Sequence, residues 1–202
     1  MGFVFPKVIT DLIESLRRLP GIGPKSAEKL AFYLLRLPQS FLTDFSSSIL
    51  ELKNKVSYCE ICKNVTDQKV CRICESADRD QDMVMVVEEP MDVVAFERGK
   101  KYQGVYHVLH GRISPLENIG PDELFINELL SRVKNTKEII IATNPTMEGE
   151  ATALYLNKKI KDLPAGRQVK ISRLGMGIPT GADLDYADDM TLTQALEGRR
   201  EI

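Results

Sequence analysis

VSYCEICKNVTDQKVCRICES, residues 56–76, holds all four cysteines of the chain, Cys59, Cys62, Cys71 and Cys74, as two Cys-x-x-Cys pairs. Each such turn aims two thiolates at one point. Four soft, deprotonated sulfurs suit a d¹⁰ ion with no geometric preference of its own, so the window predicts a tetrahedral Zn²⁺ site. With all four ligands supplied by protein, no position is left for water, and the expected metal is structural. It would hold together a segment with too few apolar residues to fold alone. The gap between the pairs, residues 63–70, is short for a zinc ribbon and implies a compact knuckle.

Two other uses of the cysteines compete with this one. Disulfides need an oxidising compartment, and the N-terminal MGFVFPKVITDLIESLRR has neither the basic-then-apolar pattern nor the small-residue cleavage site of a secretory leader. A redox Cys-x-x-Cys belongs at a strand-to-helix turn, and two such pairs so close together would be odd.

The remaining composition is ordinary. At 43% hydrophobic and 28% charged residues over 202 positions, the chain has the material for a real core and reads as a water-exposed globular protein. No stretch approaches the roughly 18 to 20 apolar residues a bilayer crossing needs, and a cytoplasmic location is expected. A formal charge of −2 gives no global sign of nucleic-acid binding, so such binding must come from local basic patches or from repetition in an oligomer.

N-terminal to the cysteines, VITDLIESLRRL places Val8, Leu12, Leu16 and Leu19 on a helix-like stripe, and further helices are expected over 25–37 and 46–56. C-terminal to them the pattern changes to apolar runs alternating with amphipathic segments. MVMVVEE, GVYHVLHG, EIIIATN and VKISRLG read as strands, with MDVVAFERG, PDELFINELLSRV and EGEATALYLNKKIKD as intervening helices. Buried-type strands such as Ile139-Ile140-Ile141 in this alternation point to a mainly parallel α/β sheet covered by helices. The run from Leu163 to Gln168 reads as a helix stop and loop, and the tail ends in a short helix, 192–197.

Between the first two helices lies LPGIGPKSAEKLAFYL. Gly21 and Gly23 let the backbone turn tightly and approach a ligand without a Cβ in the way, and Pro24 suits a first helical turn. Free N–H groups at that helix start favour an anion such as a DNA phosphate, with Lys25 and Lys29 one turn apart on the same side. A bare Gly-x-Gly would be only a turn with two solvated lysines. The longer string, with Ala27, Leu30 and Ala31, looks like a helix-hairpin-helix element that binds DNA without regard to sequence.

Two acidic clusters fall at strand ends, where open α/β sheets place their ligands: Glu88 in VVEEP, and Asn144, Thr146, Glu148 and Glu150 in NPTMEGEATA. These motifs resemble the Toprim fold of primases, type IA topoisomerases and related nucleases. In active members a glutamate after the first strand and an Asp-x-Asp pair hold Mg²⁺. Here Glu88 matches, but the pair is Asn144-Pro145-Thr146, a neutral amide and a hydroxyl in place of two carboxylates, which a hard dication disfavours. No catalytic residue is expected. Weak Mg²⁺ binding through Glu88, Glu148 or Glu150 is the exceptional reading, and solvated or helix-capping carboxylates the plain one.

His107 and His110 in YHVLHG are expected to be hydrogen-bonded structural histidines rather than ligands. Arg98, Lys100 and Lys101 read as a solvated basic loop. Asp183, Asp185, Asp188 and Asp189 sit in a tail without the phosphate loop that nucleotide hydrolysis requires, and read as a solvated or partner-binding surface.

The order of these parts, the hairpin, the four cysteines, VVEEP, HVLHGRISPLENIGP, NPTMEGEATA and SRLGMGIPTGADLDYADDMTL, closely resembles the bacterial RecR family over essentially the whole chain. Gly175 and Met176 depart from the family's usual alanine and basic residue, and the loop at 165–168 is slightly long. The resemblance implies a helix-hairpin-helix domain over 1–55, a four-cysteine zinc finger over 56–77, a Toprim-like domain over 78–174 and a C-terminal oligomerisation segment, exchanged between subunits, over 175–202. It implies a non-catalytic, nucleoid-associated scaffold that binds single- and double-stranded DNA without sequence preference. Such scaffolds form rings, here expected to be tetramers, and work with RecO and RecF to load RecA onto single-stranded DNA. In a ring, several copies of Lys25 and Lys29 would sum local positive potential. The competing classes are a Mg²⁺-dependent Toprim enzyme, discriminated by the missing Asp-x-Asp, and a zinc-stabilised interaction protein that does not bind DNA.

Overall fold

The computed structural model describes residues 5–164 and 168–199. The chain separates into two units, residues 1–56 and 57–202.

The first unit is helical: α1 (Lys7–Arg17), α2 (Pro24–Leu35) and α3 (Gln39–Lys55). Ala27 and Ala31 are buried on α2, and their small side chains let α1 pack closely, with Ile13 buried and Phe5, Ile9, Leu16 and Ile22 against it. The inward stripe of α1 is thus Ile9, Ile13 and Leu16. The expected Val8, Leu12 and Leu19 are 79%, 36% and 50% exposed, because the small alanine wall accepts the face one residue further round. α2 ends at Leu35, short of the expected Leu37. α3 starts at Gln39, well before the expected Ser46, since Pro38 in extended backbone is placed to open a helix. No residue of α3 is buried within the unit.

The second unit opens with the cysteine knuckle. A two-residue hairpin, β1 (Ser57–Tyr58) against β2 (Val65–Thr66), is followed by one helical turn, α4 (Arg72–Glu75). A wholly parallel sheet follows: β3 (Asp80–Val87), β4 (Gly104–Val108), β5 (Glu138–Ile141) and β6 (Lys170–Arg173), in the order β4-β3-β5-β6. Val84 pairs with Val105 on one side and Ile139 on the other, and Ile139 with Ile171.

The two-residue period of the strands sorts side chains to two faces. Val84, Val86, Val105, Ile139 and Ile141 face α6 (Ile126–Arg132) and α7 (Met147–Asp162), where Leu129, Ala153, Leu156 and Ile160 complete the layer. Met85, Val87, Tyr106 and Val108 face α5 (Pro90–Gly99) through Val93 and Phe96. Each such fully buried aliphatic side chain contributes about 1.5–3 kcal/mol.

Some boundaries differ from expectation. The segment 121–133 is broken into a 3₁₀ turn, Pro121–Glu123, and α6, because Phe125 leaves helical backbone and its carbonyl accepts a hydrogen bond from His107 Nε2 at 2.7 Å. The tail helix α8 (Asp189–Glu197) begins before Leu192, since Asp188 accepts a capping bond from the Thr191 N–H at 2.9 Å. Of the loop expected over 163–168, residues 165–167 lie outside the described residues.

Candidate functional site

The knuckle brings its four sulfurs together by two different turns. In the first, the Cys59 N–H donates to the Asn64 carbonyl at 2.8 Å and the Lys63 N–H to the Cys59 carbonyl at 3.0 Å, with Lys63 in left-handed backbone at φ 62°. In the second, Cys71 precedes α4 and Cys74 lies within it. All four side chains are buried, their sulfurs lie within 4.8 Å of one another, and Cys62 Sγ is 3.5 Å from Cys71 Sγ. A tetrahedron of Zn–S bonds of about 2.3 Å has S···S edges of about 3.8 Å, so the arrangement fits the ion. The thiols are free, with no disulfide.

Without a metal, the four sulfurs would share protons unequally. S–H groups of Cys62 and Cys74 donated to Cys71 hold its thiol far below the ordinary range, while hydrogen bonds to Cys71 and to Cys62 push Cys62 and Cys74, respectively, up. Only a bound cation satisfies four thiolates at once. Val70 and Ile73 are the apolar residues packed on the cluster, too few to fold the segment. The site is one structural zinc per chain, and its chemistry is a crosslink.

One of the two histidines ties the knuckle to the sheet. His110, at φ 60° just past β4, binds the Lys63 carbonyl through Nε2 at 2.6 Å and lies between the rings of Tyr58 and Phe125, at 4.3 and 5.4 Å. His107 is fully buried, and burial first, then the nearby Arg132 charge, pushes it down to about 3, so it is neutral.

At the carboxyl end of the sheet, Glu88 follows β3 and is 1% exposed. Its Oε1 accepts the Asn144 main-chain N–H and its Oε2 the Asn144 side-chain amide, each at 2.8 Å. Gly149 lies so close that a Cβ would stand 2.9 Å from Glu88 Oε1 and overlap the Asn144 carbonyl. Glu88 is therefore neither solvated nor a helix cap, which corrects the plain reading of this residue. No sequence signal reveals that Asn144 is the hydrogen-bond partner of Glu88. Thr146 instead caps α7, its Oγ1 accepting from the Gly149 N–H at 3.1 Å. Glu148 and Glu150 lie in the first turn of α7, and Glu150 pairs with Arg173, which also donates to the Ile141 and Thr143 carbonyls. Arg173 has no sequence signal. Among the described residues, no second group of three carboxylate, histidine or cysteine side chains converges.

In the first unit, Gly21 has φ 78°, a left-handed backbone that excludes most side chains, and nothing lies within 4 Å of where a Cβ would be at Gly21 or Gly23. Gly23 precedes α2, Pro24 opens it, and no side chain caps its first-turn amides. Lys25 and Lys29 are exposed beside them. The arrangement leaves a helix N-terminus bare and flanked by cations, which suits an anion.

Comparison with known families accounts for each part. Residues 9–52 match the family model described as RecR, helix-hairpin-helix; residues 56–76 match the RecR four-cysteine zinc finger domain; residues 82–175 match the Toprim domain; and residues 177–200 match RecR, C-terminal. With three of the four carrying the RecR name and all in one order from residue 9 to residue 200, the chain belongs to the RecR family of recombinational DNA repair.

Proposed function

We propose that the protein is a non-catalytic DNA-binding scaffold that helps load RecA recombinase onto single-stranded DNA together with RecO and RecF. The observation that supports this reading is the Glu88–Asn144 clasp: both oxygens of the glutamate that matches an active Toprim centre accept from an asparagine standing where such a centre has a carboxylate. Function then rests on binding. Gly21 and Gly23 bring backbone amides to a phosphate, Lys25 and Lys29 add charge, and neither single- nor double-stranded DNA is read by sequence. Residues 1–55 form the DNA-binding domain, 56–77 the zinc finger, 78–174 the Toprim-like domain and 175–202 a segment exchanged between subunits of a ring tetramer. Ring assembly supplies the repetition that a subunit of charge −2 needs to hold DNA. Among the described residues no helix is long and apolar enough to cross a membrane.

The test pairs two measurements on the purified protein. Titration of single- and double-stranded oligonucleotides across salt should show steeply salt-dependent, sequence-independent affinity, with the assembly mass measured with and without DNA. Incubation of the same DNA with Mg²⁺ or Mn²⁺ should show no cleavage, joining or priming. Metal-dependent turnover abolished by Glu88→Gln would overturn the scaffold reading in favour of a Toprim enzyme, and absence of DNA binding would favour a zinc-stabilised interaction protein.

A further inference from the structure

Strand β4 is an edge of the sheet, and alternate residues turn their main-chain groups away from β3. Leu109 donates inward to the Val87 carbonyl at 3.0 Å, so Tyr106 and Val108 face outward. Two different parts of the chain cover that edge. The Val108 N–H donates to the Cys62 carbonyl at 2.9 Å, and the neighbouring Tyr106 carbonyl accepts from the Arg132 guanidinium at 2.7 Å. Arg132, at the end of α6, is thereby seated beside the Cys62 turn along one strand edge.

The same guanidinium lies 3.2 Å from His107 Nδ1, while His107 Nε2 faces the Phe125 carbonyl at 2.7 Å. A carbonyl only accepts, so Nε2 carries the proton and Nδ1 accepts from Arg132. His107 is thus a neutral spacer, and the positive charge at this junction belongs to Arg132. Of the knuckle's own cations, Lys63 is paired with Glu128 at 3.7 Å, and Lys69 and Arg72 are exposed. Burial draws Arg132 below its ordinary range, and the sulfurs of Cys74, Cys62 and Cys59 act in the opposite sense.

A zinc ion with four thiolates carries two formal negative charges, and a buried anion needs a partner. We infer that Arg132 is the countercation of the zinc-tetrathiolate and, by bonding the β4 edge next to Cys62, the positioning residue that fixes the knuckle on the sheet. Ile73, packed against the cysteine cluster and both faces of the sheet core, supplies the apolar part of the same junction. Metal retention and sheet-edge protection are therefore coupled through one side chain outside the ligand set.

The experiment measures the apparent zinc affinity of the full chain by competition with a chromophoric chelator, for the wild type, Arg132→Gln and Arg132→Lys. Gln keeps a donor for the Tyr106 carbonyl but no charge, whereas Lys keeps the charge without the fork. Arg132→Gln should bind zinc roughly 10- to 100-fold more weakly, the range for changes to groups that support metal ligands without touching the ion, and Arg132→Lys within about threefold of wild type. Wild-type affinity in Arg132→Gln overturns the inference, as does equal loss in both variants, which would mark a packing role. Where Arg132→Gln does not fold, Arg132→Lys decides alone: retained zinc supports the countercation and lost zinc overturns it.

Discussion

Asn144 closes on Glu88 with two donors, its main-chain N–H and its side-chain amide, each 2.8 Å from a different carboxylate oxygen. The pair joins the carboxyl end of β3 to the loop after β5, where open α/β sheets present ligand sites. The Glu88 carbonyl is engaged as well, accepting from Gly111 at 3.0 Å. Glu88 and Asn144 thus form a structural clasp between the ends of β3 and β5.

Asn144→Asp should expose that substitution. Two carboxylates would then meet in a buried site, raising the shared folded-state pKa above the unfolded value. Stability would be retained at low pH and lost as pH rises through the raised value, by about 3 kcal/mol at pH 8. Millimolar Mg²⁺ should recover part of the loss, because it prefers carboxylate oxygens. Urea denaturation at pH 5.5 and 8, with and without Mg²⁺, measures this; a variant as stable as wild type at pH 8 without metal would contradict the clasp.

Gly149→Ala attacks the same point sterically. The added methyl would overlap the Asn144 carbonyl and stand 2.9 Å from Glu88 Oε1, and both are held by main chain or hydrogen bonds. A loss on the order of 3 kcal/mol is expected. Equilibrium denaturation checks it, and a neutral substitution would mean that the β5–α7 turn yields.

Replacing Cys62 with serine leaves three thiolates and an open, distorted site, so zinc content should fall together with solubility. The Val108 N–H, bound to the Cys62 carbonyl, should lose protection from hydrogen exchange, while the β3–β5 pairs keep theirs. Elemental analysis that finds no zinc in carefully prepared wild-type protein would refute the metal assignment outright.

His107 sets a pH limit. Its folded pKa, pushed down to about 3, lies below the unfolded value, so the unfolded chain binds the extra proton between. Its contribution is complete above about pH 6.5 and is lost as pH falls toward 3, at up to about 1.4 kcal/mol per pH unit. Stability of wild type and His107→Gln, followed from pH 7 to 5 with zinc content monitored, should converge as pH falls. A constant gap would mean that His107 charges without cost.

Legibility in the sequence follows from range. The Cys-x-x-Cys spacing and the unbroken apolar run from Met83 to Val87 are local signals, and both knuckle and sheet are readable from them. The stripe of α1 differs from its sequence reading because its face depends on the alanines of another helix. Arg132 and Arg173 give no signal, since their partners, the Tyr106, Ile141 and Thr143 carbonyls, are main-chain groups that any residue would present. Asn144 shows in sequence as a missing carboxylate but not as a donor, because its partner lies 56 residues away.

Lys25→Ala with Lys29→Ala tests the hairpin. Both side chains are exposed and in no ion pair among the described residues, so the variant should fold and assemble as wild type. DNA affinity should fall by a similar factor across sequences, because phosphate contacts carry no base information. Each phosphate interaction removed should also make log K against log salt shallower by roughly 0.7 to 0.9, as fewer counterions are released. In a ring the effect multiplies by the subunits engaged, which separates it from the change a monomer would show. An intact oligomer with wild-type affinity and salt slope would mean that these lysines are a solvated face and that DNA is held elsewhere.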